Sequence, residues 1–317
     1  MQDLFSQFEA GDPVALGKLL KEVENGTSTG KEALRCTASR QGRAHVVGIT
    51  GPPGAGKSTL TAKLSKRWAE AGREVGIVCV DPTSPFSGGA LLGDRIRMLE
   101  LSSYPNVFIK SLATRGSLGG MAASTADIIQ LMDAYGKEVV VVETVGVGQV
   151  EFDVMDLSDT VVLVNVPGLG DSIQTLKAGI MEIADIFVIN QADRPGAEDS
   201  VRDLRQMLAD RKETGWLWPV VKTVATRGEG IDRLAEAIES HRAYLKQERL
   251  WDEKRRRRNR QRLMQEMDRL FRRHVLTRIR TDPTPRALFE EVERGTQDPY
   301  SAARHLFQEI VNQGGRP

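Results

Sequence analysis

From His45 onward, short apolar runs alternate with segments in which apolar side chains recur every three or four residues. Apolar runs bounded by polar turns read as strands, and the 3.6-residue period reads as helix. The pattern predicts strands at 45–50, 75–80, 107–110, 138–143, 160–166, 186–190 and 220–224. It predicts helices at 58–71, 120–134, 172–183, 198–209 and 230–246. Several strands are unbroken, such as Val139-Val140-Val141-Val142. Strands that are apolar on both faces belong to a mostly parallel sheet covered by helices on each side, so the predicted class is α/β. Ligands of such sheets sit beyond the carboxyl ends of the strands.

Two segments flank this region. Residues 3–24 carry Leu4, Phe5, Phe8, Val14, Leu16, Leu19, Leu20 and Val23 at helical spacing, and Asp12-Pro13 reads as an N-cap followed by an N1 proline. A polar stretch, Asn25 to Lys31, follows. The expected organisation is a helical extension over 1–43, a sheet domain over 44–246 and a helical arm over 247–317. Within the arm, Trp251 to Arg280 holds twelve Lys or Arg against four Asp or Glu. It also carries an apolar stripe of Leu263, Met264, Met267, Leu270, Phe271 and Val275. That stripe needs a cover: a second copy, making the segment a dimerisation arm, or the chain's own sheet domain. The run Lys254 to Arg258 reads as a solvated face or a docking surface for an acidic partner. No aromatics interleave it, as single-stranded nucleic-acid sites require.

The bulk numbers narrow the class. The 317 residues are 40% hydrophobic, with a net charge of +1, so no global field favours nucleic acid or a membrane surface. Met1 to Ala10 lacks the basic-then-apolar pattern of a signal peptide, and no apolar run approaches 18 residues. A soluble, cytoplasmic protein is expected. The two cysteines, Cys36 and Cys79, are far apart, and Cys79 falls in a core strand.

Chemistry enters at Gly51-Pro52-Pro53-Gly54-Ala55-Gly56-Lys57-Ser58, which fits G-x-x-x-x-G-K-[ST] between a predicted strand and helix. Its backbone N–H groups and the helix N-terminus, Thr59 included, would cradle phosphates. Lys57 would reach the β- and γ-phosphates, and the Ser58 hydroxyl would hold Mg²⁺. Strand 138–143 ends in Glu143, followed by Thr144-Val145-Gly146. A strand-end carboxylate there suits the Mg²⁺ shell, and Gly146 suits close approach to the γ-phosphate. Asp81 and Asp94 are further candidates for metal-linked or water-orienting roles, although Asp94 with Arg95 also reads as a local ion pair. Asn190-Gln191-Ala192-Asp193 ends strand 186–190 and resembles the guanine-reading N-K-x-D. A carboxylate at Asp193 accepts from guanine N1–H and N2–H₂, a pair that adenine lacks. Gln191 replaces the lysine, so weaker affinity with retained selectivity is expected. Val224-Ala225-Thr226 stands where a final guanine loop belongs.

Together with Val80-Asp81-Pro82-Thr83-Ser84-Pro85-Phe86, Gly93-Asp94-Arg95-Ile96-Arg97-Met98, Thr114-Arg115-Gly116, Glu143-Thr144-Val145-Gly146-Val147-Gly148-Gln149 and Pro167-Gly168-Leu169-Gly170-Asp171, these motifs resemble the MeaB/ArgK/MMAA family of P-loop GTPases. The likeness runs from about residue 3 to 312 and includes Asp298-Pro299-Tyr300-Ser301-Ala302-Ala303. It implies a homodimeric GTPase that uses GTP/GDP and Mg²⁺. Its role would be to chaperone an adenosylcobalamin-dependent acyl-CoA mutase, most often methylmalonyl-CoA mutase, and to gate cofactor loading from an adenosyltransferase. A mutase acting on isobutyryl- or 2-hydroxyisobutyryl-CoA is the alternative. The third switch of the family falls on Asp171 to Gly179, where Lys177 is implied to engage the nucleotide when the partner docks. Lys57 and Asp94 complete the expected catalytic set. Hydrolysis is expected to be slow until a partner completes the site through residues 168–179. An ATP-dependent kinase gives no reason for Asn190 and Asp193. A nickel-delivery GTPase needs a His/Cys cluster, and His45, His241, His274 and His305 are scattered. A non-hydrolysing scaffold sits badly with intact Lys57, Ser58 and Glu143.

Overall fold

The computed structural model of the chain describes residues 2–40, 42–82, 98–114, 118–144, 155–168, 180–209 and 215–313. They form two compact units, one ending at Arg258 and the other beginning at Asn259.

The first unit is built on seven parallel strands: β1 (His45–Thr50), β2 (Val75–Pro82), β3 (Val107–Thr114), β4 (Val139–Thr144), β5 (Thr160–Asn165), β6 (Ile186–Asn190) and β7 (Val220–Thr223). Their order is β3-β2-β4-β1-β5-β6-β7. The apolar runs are split by the pleat. Val139 and Val141 join Val47, Ile49, Ile77, Val162 and Val188 under the helices Lys57–Glu70 and Ile231–Gln247. Val140 and Val142 join Val46, Val78, Val80 and Val161 on the other face. Both faces are therefore buried, which is why the strands show no polar alternation. Cys79 lies in the first of these cores.

The N-terminal segment covers the second face. Phe8, Leu16, Leu19, Leu20, Val23 and Ala33 pack in one core with Val140, Val142 and the helix Leu118–Tyr135. The helical spacing over 3–24 is two helices, Gln2–Glu9 and Pro13–Glu24, the second starting at the expected N-cap. They break at Asp12, whose carboxylate accepts from the Val14 N–H at 2.8 Å, with Pro13 starting the second helix. A third helix, Ser28–Thr37, begins inside the polar stretch Asn25 to Lys31. Thr27 caps it, accepting from the Gly30 N–H. Its polar first turn hid it, and only Ala33 and Thr37 in its later turns, with Gly30, are buried.

The helix Leu250–Thr281 belongs to the first unit as far as Arg258. In the second unit it is followed by the helices Pro283–Glu293 and Pro299–Gln313. Leu263, Met264, Met267, Leu270 and Phe271 are exposed there. Among the described residues no helix is long and apolar enough to cross a membrane.

Candidate functional site

β1 delivers the chain into the phosphate-binding loop. Gly51, at φ 142°, lies so close to β5 that a Cβ would collide with the Val164 carbonyl. Gly56 caps the helix Lys57–Glu70 in the left-handed region and offers no capping side chain. The orphan N–H groups of the first turn, where Thr59 lies, are thus left for an anion. Pro53 and Gly54 form the exposed outer rim of the loop, and Ala55 is buried. Lys57 folds back over it, its Nζ donating to the Gly51 carbonyl at 2.7 Å and the Pro52 carbonyl at 3.1 Å.

Parallel register brings the next group in. Ile49 of β1 is paired with Glu143 of β4, so the β4 carboxylate emerges beside the loop. The Ser58 hydroxyl donates to Glu143 Oε1 at 2.6 Å, and both residues are buried. A hydroxyl and a carboxylate so placed are hard oxygen donors that fit Mg²⁺, which takes one or two protein oxygens and completes its shell with phosphates and water. Asp81 is one residue beyond Val80, the β2 partner of Thr144, and so lies at the same sheet end. Its side chain, like Asp94, Gly146 and Lys177, lies outside the described residues.

The opposite wall comes from β6 and β7. Buried Asn190 ties three segments together. Its Nδ2 donates to the Ala55 carbonyl at 2.8 Å, and its Oδ1 accepts from Thr223 Oγ1 at 3.0 Å and the Ala225 N–H at 3.1 Å. Gln191 adopts φ 55°, unusual for a non-glycine residue, and its Nε2 donates to the Gly54 carbonyl at 3.1 Å. The loop after β7 is closed by Val224 N–H donating to the Glu229 carbonyl, with Ala225-Thr226-Arg227 forming one 3₁₀ turn. From that turn Arg227 approaches Asp193 to 3.4 Å. Phosphate loop, Ser58–Glu143 pair and Asn190-Gln191-Asp193 wall thus line one end of the sheet. Thr223 and Arg227 were not singled out from sequence, although both border the Val224-Ala225-Thr226 loop.

A second polar cluster lies at the other end of the same strands. Thr160 Oγ1 is 2.8 Å from both His45 Nε2 and His241 Nδ1, and His241 Nε2 is 3.4 Å from Asp185. The Asp185 carboxylate can only accept, which assigns the proton to His241 Nε2. Thr160 then donates to His241 Nδ1 and accepts from His45 Nε2–H. Burial pushes both imidazoles down to about 3. Beside them, buried Asp159 accepts from the Val46 N–H and pairs with Arg255 at 3.1 Å and with Arg258. Burial alone raises that carboxyl, but Arg258 and Arg255 hold it below the ordinary range. The run expected to be solvated is in part an anchor for the start of its helix.

Comparison with known proteins adds four findings. Residues 16–283 match the family model described as methylmalonyl Co-A mutase-associated GTPase MeaB. A Pyrococcus abyssi protein named as a GTPase is 48% identical over 322 residues, covering 99% of this chain and 98% of its own. The mouse methylmalonic aciduria type A homolog, a mitochondrial protein, is 39% identical over 201 residues, 61% of this chain and 48% of its own. Among solved structures, an LAO/AO transport system kinase superposes with a TM-score of 0.74 at 24% identity, covering 98% of this chain and 97% of that one, which is a likeness of fold.

Proposed function

We propose a function from one established premise: the chain belongs to the MeaB family of methylmalonyl Co-A mutase-associated GTPases, and it is a GTPase. Its role is to chaperone an adenosylcobalamin-dependent acyl-CoA mutase, methylmalonyl-CoA mutase first among the candidates, and to gate loading of that cofactor from an adenosyltransferase. The family description and the name of the mouse relative support the mutase class. A mutase of the isobutyryl- or 2-hydroxyisobutyryl-CoA type takes the same reading. The exposed apolar stripe at 263–271 supports a homodimer in which a second copy covers it.

The observation that carries the reading is the cluster of Lys57, Ser58 and Glu143 against a glycine-rich loop that opens a helix. The loop N–H groups bind the phosphates. Lys57, now spending its donors on Gly51 and Pro52 carbonyls, turns to the β- and γ-phosphates and offsets their charge. Ser58, with a carboxylate from Asp81, Asp94 or Glu143, would hold Mg²⁺, which when bound neutralises charge on the phosphate oxygens. Asn190 and Gln191 hold the base loop against the phosphate loop, and Asp193 accepts from guanine N1–H and N2–H₂. Water attacks the γ-phosphate in line, and the protein acts by positioning and electrostatics. The turnover alone is slow, and partner docking through residues 168–179 speeds it.

The test is GTP turnover by the purified protein, alone and with the purified mutase, beside Lys57→Ala. Stimulation by the mutase and loss of turnover in Lys57→Ala are expected. Undiminished turnover in that variant would remove the site assignment. Basal turnover that no mutase changes would remove the chaperone role and leave the GTPase.

A further inference from the structure

In N-K-x-D loops one lysine does two jobs: its amine holds the phosphate-loop backbone, and its stem with its positive charge covers the base. Here position 191 is a neutral glutamine. The first job is still done, because Gln191 Nε2 donates to the Gly54 carbonyl at 3.1 Å, with the backbone held at φ 55° to aim it. An amide has no charge to place over a purine. A cation nonetheless stands at this wall, and it comes from the next loop. Arg227 Nη2 is 3.4 Å from Asp193 Oδ2, the carboxylate assigned to guanine.

We propose that Arg227 takes over the second job, covering the face of the bound base and steadying Asp193, so that the two duties of one lysine are divided between Gln191 and Arg227. This rests on the guanine-binding reading of Asp193. Three features support it. The loop is rigid where it carries Arg227: Arg227 N–H donates to the Val224 carbonyl at 2.9 Å, and Val224 N–H to the Glu229 carbonyl at 3.0 Å. Gly228 and Gly230 both lie in the left-handed region around it, and a Cβ on Gly230 would strike the Lys222 carbonyl. The Cα of Arg227 is thereby fixed. The closest approach of the guanidinium to Asp193 is 3.4 Å, and the two side chains are 61% and 39% exposed. So loose and exposed a contact leaves room for the two guanine donors at the carboxylate, and a planar guanidinium suits stacking on the ring. Glu229 Oε1 lies 3.8 Å from Arg227 Nη1, a second carboxylate on the same side of the loop.

The experiment measures GDP and ADP affinity by calorimetry for the full chain and its variants. A guanidinium over an aromatic face at an exposed site gives about a two- to fivefold effect. Arg227→Ala should weaken GDP by that factor and keep the wild-type urea midpoint. Arg227→Lys should fall between. Gln191→Lys should restore GDP affinity in Arg227→Ala, because one lysine then does both jobs. GDP binding that is unchanged or tighter in Arg227→Ala would overturn the proposal; tighter binding would make Arg227 a competitor of guanine for Asp193. Asp193→Ala separates the premise: if it leaves the GDP-over-ADP preference intact, the guanine reading itself is wrong.

Discussion

Replacing Asn190 by alanine tests how the two walls of the site are joined. Asn190 is buried, and its amide makes one bond to the phosphate loop, one to Thr223 at the end of β7 and one to the loop after it. A net contribution of about 1 kcal/mol per hydrogen bond puts the loss at about 3 kcal/mol. The Ala55 carbonyl and Ala225 N–H, both on buried residues, would be left without this partner, so the figure is a lower bound. Two controls apportion it. Asn190→Asp keeps both bonds to Oδ1 but loses the donor to Ala55 and sets a carboxylate against a carbonyl, for about 1–2 kcal/mol. Thr223→Val loses one bond at nearly constant volume, for about 1 kcal/mol. The assay is urea unfolding, with GDP titration on the same proteins. The expected order of destabilisation is Asn190→Ala, then Asn190→Asp, then Thr223→Val, with GDP affinity falling in the same order. Destabilisation by Asn190→Ala no greater than by Thr223→Val would refute the idea that this side chain joins the walls.

Two further predictions concern the far end of the sheet. Asp159→Ala leaves the half-buried Arg255 and Arg258 without their carboxylate, and removing one partner of a buried pair costs about 3–5 kcal/mol. Urea unfolding should show a loss near the lower figure, smaller in Asp159→Asn, and a change below about 1 kcal/mol would mean the arginines find other partners. His45 and His241 are held down to about 3 by burial, helped for His45 by Arg242 and Arg255 and for His241 by Lys254, with Asp159 opposing in both. Unfolded histidines titrate near 6.5, so below that pH the unfolded chain binds more protons. Stability is therefore full above pH 6.5 and falls as pH drops towards 3, by at most about 1.4 kcal/mol per pH unit for each histidine. Urea midpoints between pH 7.5 and 5 should show this slope, shallower in His45→Gln, and a flat profile would contradict the buried neutral imidazoles.

The sheet and the phosphate loop were legible because their signals are local. Val139 to Val142 can only be a strand buried on both faces, and Gly51 to Ser58 carries its own backbone requirements. The helix Ser28–Thr37 was not legible, because its polar first turn shows no period and its burial comes from packing under the helix Pro13–Glu24. Sequence alone thus determined the α/β class, the phosphate chemistry, Glu143 as a strand-end carboxylate and Asp193 as one in the loop after β6. Tertiary structure decided which distant groups meet. Parallel register sets Ser58 on Glu143, and the crossover to β7 sets Asn190 on Thr223 and Ala225. Chain folding likewise carries Arg227 to Asp193 and Arg255 and Arg258 to Asp159. A hydrophobic period reports how one element meets the core. A polar contact between elements leaves no period, so only the folded chain reveals it.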